Sequence, residues 1–276
     1  MLRWILLLFT MSTVLVRGHQ DPRGEAHPRV TANTDGTFTV TFRYFDPERS
    51  GRMRMLLAAD GKELVPRHWY KPKDDTSREV WNPGRAGAGD VLETVTPNEN
   101  RAQLILRQPD GGAKGTIVLP LDSQDFTGFE DTAMEGNEVA FTSGGLRDDP
   151  EKGVDLRLWC CRRDGFQPGK KVSLGTVCTI YDFPTASAPL WCAGRWWVAW
   201  VEERRAGEKT TWTTVLSSVD PATGNVERRD LPGISNWNSS LSLAANAAGT
   251  ICVAWHASVD GSYPGTGKIV TAVLTP

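Results

Sequence analysis

One short pattern recurs along the chain and limits its possible folds more than any other feature. Gly36 opens Gly-Thr-Phe-Thr-Val-Thr-Phe, ending at Phe42. Gly136 opens Gly-Asn-Glu-Val-Ala-Phe, ending at Phe141. Gly194 opens Gly-Arg-Trp-Trp-Val-Ala-Trp, ending at Trp200, and Gly249 opens Gly-Thr-Ile-Cys-Val-Ala-Trp, ending at Trp255. Each copy is a turn glycine, a strand-like stretch, then Val, a small residue and an aromatic. The aromatics stand 99, 59 and 55 residues apart. The first gap therefore holds two units, and a degenerate copy is expected near Arg101-Ala102-Gln103-Leu104-Ile105-Leu106. Self-similarity at a period of about 50 residues marks a repeat architecture.

The surroundings of the pattern recur too. Each strand runs into a polar loop, such as Asp46–Gly51, Arg147–Gly153, Glu202–Lys209 or Ser258–Gly265. A second strand follows at Met53–Ala58, Asp155–Cys160, Thr211–Leu216 and Lys268–Leu274. Asp60-Gly61, Asp164-Gly165 and Asp220–Gly224 then supply turn chemistry, because Asp and Gly tolerate the backbone angles of tight turns and Pro presets φ. A third strand leaves each turn, as at Lys171–Leu174 and Asn225–Leu231. One more strand precedes the opening glycine, at Arg29–Ala32, Pro189–Cys192 or Ser240–Ala244. Four short strands per unit make a propeller blade. The fold class expected is all-β, a β-propeller of about five four-stranded antiparallel blades over residues 29–276. Closing the ring calls for the strand near Arg29 to complete the last blade. The 27 Gly and 17 Pro fit many hairpins, and several of the 11 Trp, including Trp197, Trp200, Trp212 and Trp255, are expected in the core.

The Gly-x-Trp-Trp-Val-Ala-Trp strand and the Glu202-Glu203-Arg204-Arg205-Ala206-Gly207 loop resemble the repeats of secreted sialidase-like and TolB-like β-propellers. The resemblance spans most of residues 29–276 and implies the blade fold. It does not bring the sialidase catalytic set. The stretch nearest that group's Ser-x-Asp-x-Gly-x-Thr-Trp box is Ser218–Gly224, which is longer and lacks the Trp, and no Arg-Ile-Pro motif is present.

The first 18 residues read as a signal peptide, with Arg3 ahead of an apolar run from Trp4 to Val16. That run is too short to cross a bilayer. An uncleaved anchor or a buried N-terminal segment is the alternative. Residues 19–28 read as a tail. No later stretch reaches transmembrane length, so the chain is expected to be secreted, periplasmic or held in the cell envelope. Cys160, Cys161, Cys178, Cys192 and Cys252 make an odd set. Either some pair as disulfides, leaving at least one thiol, or they are buried as small hydrophobes. The net charge of -2 gives no electrostatic case for nucleic acid as a partner.

No Gly-x-Ser-x-Gly elbow or His-Glu-x-x-His is present, and Gly265-Thr266-Gly267-Lys268 is a hairpin rather than a phosphate loop. His19 and His27 fall in the tail, while His68 and His256 have no evident partner. Asp74-Asp75, Asp148-Asp149 and Glu202-Glu203 are candidate carboxylate pairs, and Asp148, Asp149 and Asp155 could hold Ca²⁺. Solvated hairpin loops account for all of them more simply. No cofactor and no metal is expected. The residues that fit a core least are Trp69, Tyr70, Trp81 and Trp237, set among Lys, Pro, Asp and Asn. Such rings suit recognition of a sugar or a protein. Asn238-Ser239-Ser240 matches a glycosylation acceptor. The expected function is that of an exported, monomeric, non-catalytic propeller binding a glycan or protein through its loop face. A sialidase-like glycoside hydrolase with a divergent site is the alternative, and a structural segment of an envelope assembly is a third.

Overall fold

The computed structural model describes residues 23–45, 50–70, 91–98, 101–107, 112–120, 125–126, 132–146, 154–177, 179–180, 183–207, 209–232, 235, 240–258 and 266–276. The segment read as a signal peptide, His19, Asp74-Asp75, Trp81, Asp148-Asp149, Cys178, Trp237 and Asn238 lie outside them.

The described residues are strands joined by turns, with one 3-10 turn at Asp164–Phe166. The first antiparallel group is β1 (Arg23–Ala32), β2 (Phe38–Phe45), β3 (Gly51–Leu57) and β4 (Glu63–Tyr70). The second is β5 (Val91–Asn98), β6 (Arg101–Arg107) and β7 (Ala113–Pro120). The third is β8 (Asp125–Phe126), β9 (Thr132–Glu135), β10 (Glu138–Leu146), β11 (Val154–Arg162) and β12 (Gln167–Val177). A small hairpin of β13 (Thr179–Ile180) and β14 (Phe183–Pro184) precedes the fourth group. That group is β15 (Leu190–Cys192), β16 (Arg195–Ala206), β17 (Lys209–Val219) and β18 (Val226–Asp230). The last is β19 (Leu241–Ala245), β20 (Ile251–Ser258) and β21 (Thr266–Leu274). The degenerate copy near Arg101 is β6. Strand number varies between groups, because the second and last carry three described strands and the third adds β8.

Side-chain alternation makes these groups the blades of a β-propeller. Successive residues of a strand point to opposite faces, and here both faces are buried against different neighbours. Val139 and Phe141 of β10 join a cluster with Ile117 and Leu119 of the second sheet, while Ala140 faces the fourth. Val198 and Trp200 of β16 pack toward Leu156, Leu158 and Leu174 of the third sheet, while Ala199 faces the last. Val253 and Trp255 of β20 pack toward Ala199 and Leu216 of the fourth sheet. Cys252 and Ala254, on the other face, meet Phe38, Val40 and Phe42 of the first. The aromatic thus always faces the preceding sheet and the small residue the following one. The last sheet faces the first, which makes the arrangement a ring.

The repeated glycines have a backbone cause. Gly36, Gly136, Gly194 and Gly249 take φ of +85°, +58°, +75° and +82°, in the left-handed region that favours glycine. A side chain at Gly136, Gly194 or Gly249 would meet nothing within 4 Å, so conformation rather than space selects glycine there. These tight turns lie at one end of the ring. β2, β10, β16 and β20 run from them to the other end, called here the loop end.

The seam between last and first sheets is fastened at both ends. At the turn end Asn246 donates from Nδ2 to the Gly36 carbonyl at 2.9 Å. At the loop end β1 meets β21 in parallel at Arg23 and Gly24. A Cβ on Gly24 would stand 2.5 Å from the Gly267 carbonyl oxygen, so this approach needs glycine. The buried Glu25 carboxylate accepts from Arg67 Nη1 at 2.7 and 2.9 Å and from the Ile269 N–H at 2.8 Å. Arg67 Nη2 also donates to the Ile269 carbonyl at 2.8 Å. The chain thus enters the sheet at Arg23, ahead of Arg29. β1 pairs along its length with β2 in the first sheet and touches β21 only at its start. The last blade is therefore joined by a short parallel contact and a charged clasp, not by a full antiparallel fourth strand.

Trp196, Trp200 and Trp255 are wholly buried, whereas Trp197 and Trp212 are half-buried. Cys160, Cys161, Cys192 and Cys252 are buried free thiols, as the small-hydrophobe reading expects. Desolvation pushes Cys160 and Cys252 up to about 12 and Cys161 to about 11.

Two outcomes follow. Glu25→Ala should lower unfolding stability by about 2 kcal/mol or more, since it strands the Arg67 charge and the Ile269 N–H; a urea titration reads it. Cys160, Cys161 and Cys252 should resist iodoacetamide at pH 8 in the native protein and react once guanidinium unfolds it. Peptide mass spectrometry separates these sites.

Candidate functional site

The loop end gathers the polar and aromatic side chains that the core does not use. β4 ends there, and its last residues are two of the predicted recognition rings. Trp69 pairs with Met53 and Tyr70 with Arg52, so the rings point to opposite faces of the first sheet. Trp69 is 37% exposed. Its ring stands edge-on to Tyr44, with centroids 5.7 Å apart and planes at 86°. The ring covers Gly51, where a Cβ would meet it at 3.1 Å. Tyr70 is half-buried, with the Arg54 guanidinium 5.1 Å from its ring centroid. Trp69 and Tyr70 therefore share a strand end but not a face. Trp81 and Trp237 lie outside the described residues.

A second constellation lies on the fourth sheet where it meets the third. Glu202 is buried at the single pairing of β12 with β16, opposite Val177. Arg204 Nε donates to its Oε2 at 2.6 Å, and Arg228 Nη2 donates to its Oε1. Arg204 Nη2 reaches Asp230 Oδ1 at 2.8 Å. Arg228 also lies over the Trp200 ring, 5.1 Å from its centroid. Gly175 makes room for this stack, since a Cβ there would stand 2.9 Å from the Trp200 ring. The Arg204 hydrogen bond holds the Asp230 carboxyl below the ordinary carboxylate range, and Asp230 in turn holds the Arg204 guanidinium above its own. Glu202-Glu203 was a candidate carboxylate pair, but the strand separates its members. Glu202 turns inward onto two arginines, and its partner across this network is Asp230.

The histidines also gain surroundings. His27 belongs to β1, in a bulge between Ala26 and Arg29, with φ of +52°. Its Nδ1 lies 3.2 Å from Ser240 Oγ, and its ring stands edge-on to Phe45 at 6.1 Å. His68 Nδ1 approaches the Pro66 carbonyl at 2.9 Å. His256 is buried against Gly267 at the seam. Among the described residues no group of three or more His, Cys, Asp or Glu is placed to hold a metal ion.

Glu25, Arg67, Arg228 and Asp230 were not singled out from the sequence. A signal existed for half of them. Glu202 and Arg204 are two apart, as are Arg228 and Asp230, which puts each pair on one face of its strand. Glu25 and Arg67 are 42 residues apart and meet only through the ring.

No family model matches the chain, and no curated protein matches it in sequence. Solved structures do align over most of it. One is an endo-1,4-beta-xylanase from Bacteroides thetaiotaomicron, at 10% identity and a TM-score of 0.37, covering 92% of this chain and 95% of that one. Another is an exo-1,5-alpha-L-arabinanase from a bovine ruminal metagenomic library, at 13% identity and a TM-score of 0.38, covering 91% and 94%. A third is the β-propeller domain of the trilobed protease from Pyrococcus furiosus, at 5% identity and a TM-score of 0.36, covering 90% and 68%. At these scores the propeller assignment rests on the sheet topology itself, and no activity transfers. No helix among the described residues is long and apolar enough to cross a membrane.

The Asp230 interaction should be visible in acid. Its lowered folded-state value contributes stability above the unfolded carboxylate pKa of about 3.9, lost as pH falls through the folded value. The group is half-exposed, so the contribution at neutral pH should stay below about 1 kcal/mol. Asp230→Asn should be less stable than the parent at pH 6 and indistinguishable from it near pH 2. Urea midpoints across that range check this.

Proposed function

We propose that the chain is an exported, non-catalytic β-propeller that binds a carbohydrate or protein partner through its loop end. The exposure of Trp69, braced by Tyr44 and lying over Gly51, carries this reading. A ring held edge-on by a neighbour loses little freedom when a ligand covers its open face. Stacking on an apolar sugar face, or insertion into a protein groove, uses that geometry directly.

The buried acids favour binding over hydrolysis. A glycosidase needs one carboxyl that keeps its proton and a second that is free to act. Glu25 and Glu202 instead spend both oxygens on arginine and backbone donors. The perturbed carboxyls Asp35, Asp220 and Asp230 are all held toward ionisation by hydrogen bonds from Thr37, Ala222 and Arg204 respectively.

A glycan array followed by titration calorimetry, with fluorogenic glycosides assayed in parallel, tests the reading. Trp69→Ala should weaken the best ligand about tenfold, or about 1.4 kcal/mol, while leaving the urea midpoint almost unchanged. Binding that ignores Trp69 sinks the platform. Turnover of any glycoside sinks the non-catalytic assignment.

A further inference from the structure

The last sheet differs from its two neighbours at its outer edge. Among the described residues the first and fourth sheets end outward in a fourth strand, β4 and β18, whereas the last ends in its third, β21. Backbone groups of successive residues alternate between the two edges of a strand. The Ile269 N–H donates to Glu25 and its carbonyl accepts from Arg67. Ile269 therefore turns its backbone outward, away from β20, and Gly267, Thr271 and Val273 share its phase. Gly267 is taken by the short parallel contact with β1, and Ile269 by the clasp. β1 then leaves to pair with β2. Among the described residues no strand or side chain takes the outward N–H and C=O groups of Thr271 and Val273. The edge is filled over its first half and open over its second.

The open half also lacks the usual guards of a free edge. Charged residues and Pro on an edge strand deter pairing with another chain. β4 carries Glu63, Pro66, Arg67 and His68, and β12 carries Pro168, Lys170 and Lys171. β18 carries Glu227, Arg228, Arg229 and Asp230, and β7 carries Lys114 and ends on Pro120. From Ile269 to Leu274, by contrast, β21 reads Ile-Val-Thr-Ala-Val-Leu, with no charge and no Pro. Such residues suit a strand with neighbours on both edges.

We propose that the open half of β21 is a strand-addition site that takes an extended peptide segment of a partner protein. This goes beyond the loop-end reading and does not depend on it. The shape of the slot selects the occupant. A Cβ on Gly61, in the turn between β3 and β4, would stand 3.3 Å from Val273, so β21 lies level with that turn. β21 packs on its other side against Leu216 and Leu231, which leaves β18 further out. The slot is therefore about one strand wide, about 4.8 Å. A single extended segment fits it. A second copy does not, because its own β4 and β18 would meet these before the two β21 edges touched. The incoming strand would lie antiparallel to β21, as β18 does to β17, exchanging hydrogen bonds with Thr271 and Val273. Its side chains would alternate between the first-sheet side, beside Val273, and the fourth-sheet side, beside Ala272 and Leu274. Both sides are apolar, so the segment must be uncharged, free of Pro and rich in β-branched residues.

The test uses the full chain and a fluorescent hexapeptide of alternating Thr and Val, with alternating Thr and Pro as control. Amide exchange is read by NMR and binding by anisotropy. Without peptide, the Thr271 and Val273 amides should exchange at least tenfold faster than those of Val270 and Ala272, which face β20. The Thr-Val peptide should slow Thr271 and Val273 at least tenfold, and the Thr-Pro peptide should not. Thr271→Pro removes an outward N–H but no bond to β20, and should weaken the peptide at least tenfold with an unchanged melting temperature. Should that variant not fold, the exchange pattern decides alone. Trp69→Ala should leave peptide binding intact. Protection of Thr271 and Val273 before peptide is added overturns the proposal, because the edge is then already filled: by the chain itself if sedimentation shows a monomer, by a second copy if it shows a dimer. Absence of binding, equal binding of the Thr-Pro peptide, or binding that a folded Thr271→Pro protein retains also overturns it.

Discussion

Everything in this fold depends on strands that must bury both faces at once. Val139, Ala140 and Phe141 lie side by side in β10, yet they serve two different cores. The same holds for Val198, Ala199 and Trp200, and for Val253, Ala254 and Trp255. No single sheet of this kind is stable alone, because half of its apolar surface would stay in water. Sheets placed in a ring give the strands of the third, fourth and last sheets two neighbours each. The alternation of large and small side chains lets the sheets approach closely at one contact and fan apart at the next.

The architecture was readable because its determinants are local. A positive-φ glycine and a stretch of five or six residues with a Val-x-aromatic ending fall within one short window, and four copies repeat it. Asp220 and Gly224 likewise mark a real turn, with Asp220 accepting from the Ala222 and Thr223 N–H groups at 2.8 and 3.2 Å. The side-chain rows across the first sheet were not readable. Arg29, Arg54 and His68 become neighbours only through the register of four strands, which a bulge in β1 and irregular pairing of β3 with β4 both shift. The clasp of Glu25 and Arg67 was hidden for a similar reason, since Glu25 sits in a stretch that reads as a polar tail. Trp69 and Tyr70 were recognised as rings out of place in a core, but only the pairing of β4 with β3 shows that they serve opposite faces.

The two ends of the ring divide the work. Two hairpins at the turn end read Asn-x-x-Gly-Thr, and Asn246 in one of them accepts from the Ala248 and Thr250 N–H groups while donating across the seam to Gly36. The loop end instead carries buried charged side chains. Glu25 links the first sheet to the last through the Ile269 N–H, and Glu202 gathers two arginines of its own sheet. Those acids are structural ties, so charge at this end is not by itself a sign of catalysis.

The backward-facing aromatics give the ring a direction in time. A chain leaving the ribosome delivers its sheets in order, and each of the described later sheets brings its large rings to a partner already made. Trp200 arrives to find Leu156 and Leu158 waiting, and Trp255 finds Leu216. The exposed remainder at each stage is the face that carries the alanine together with the leucines that later receive the next ring. Among the described residues Phe38, Val40 and Phe42 reverse this order, because their partners Cys252 and Ala254 come later in the chain. The first sheet must therefore hold its apolar face uncovered until the last sheet arrives.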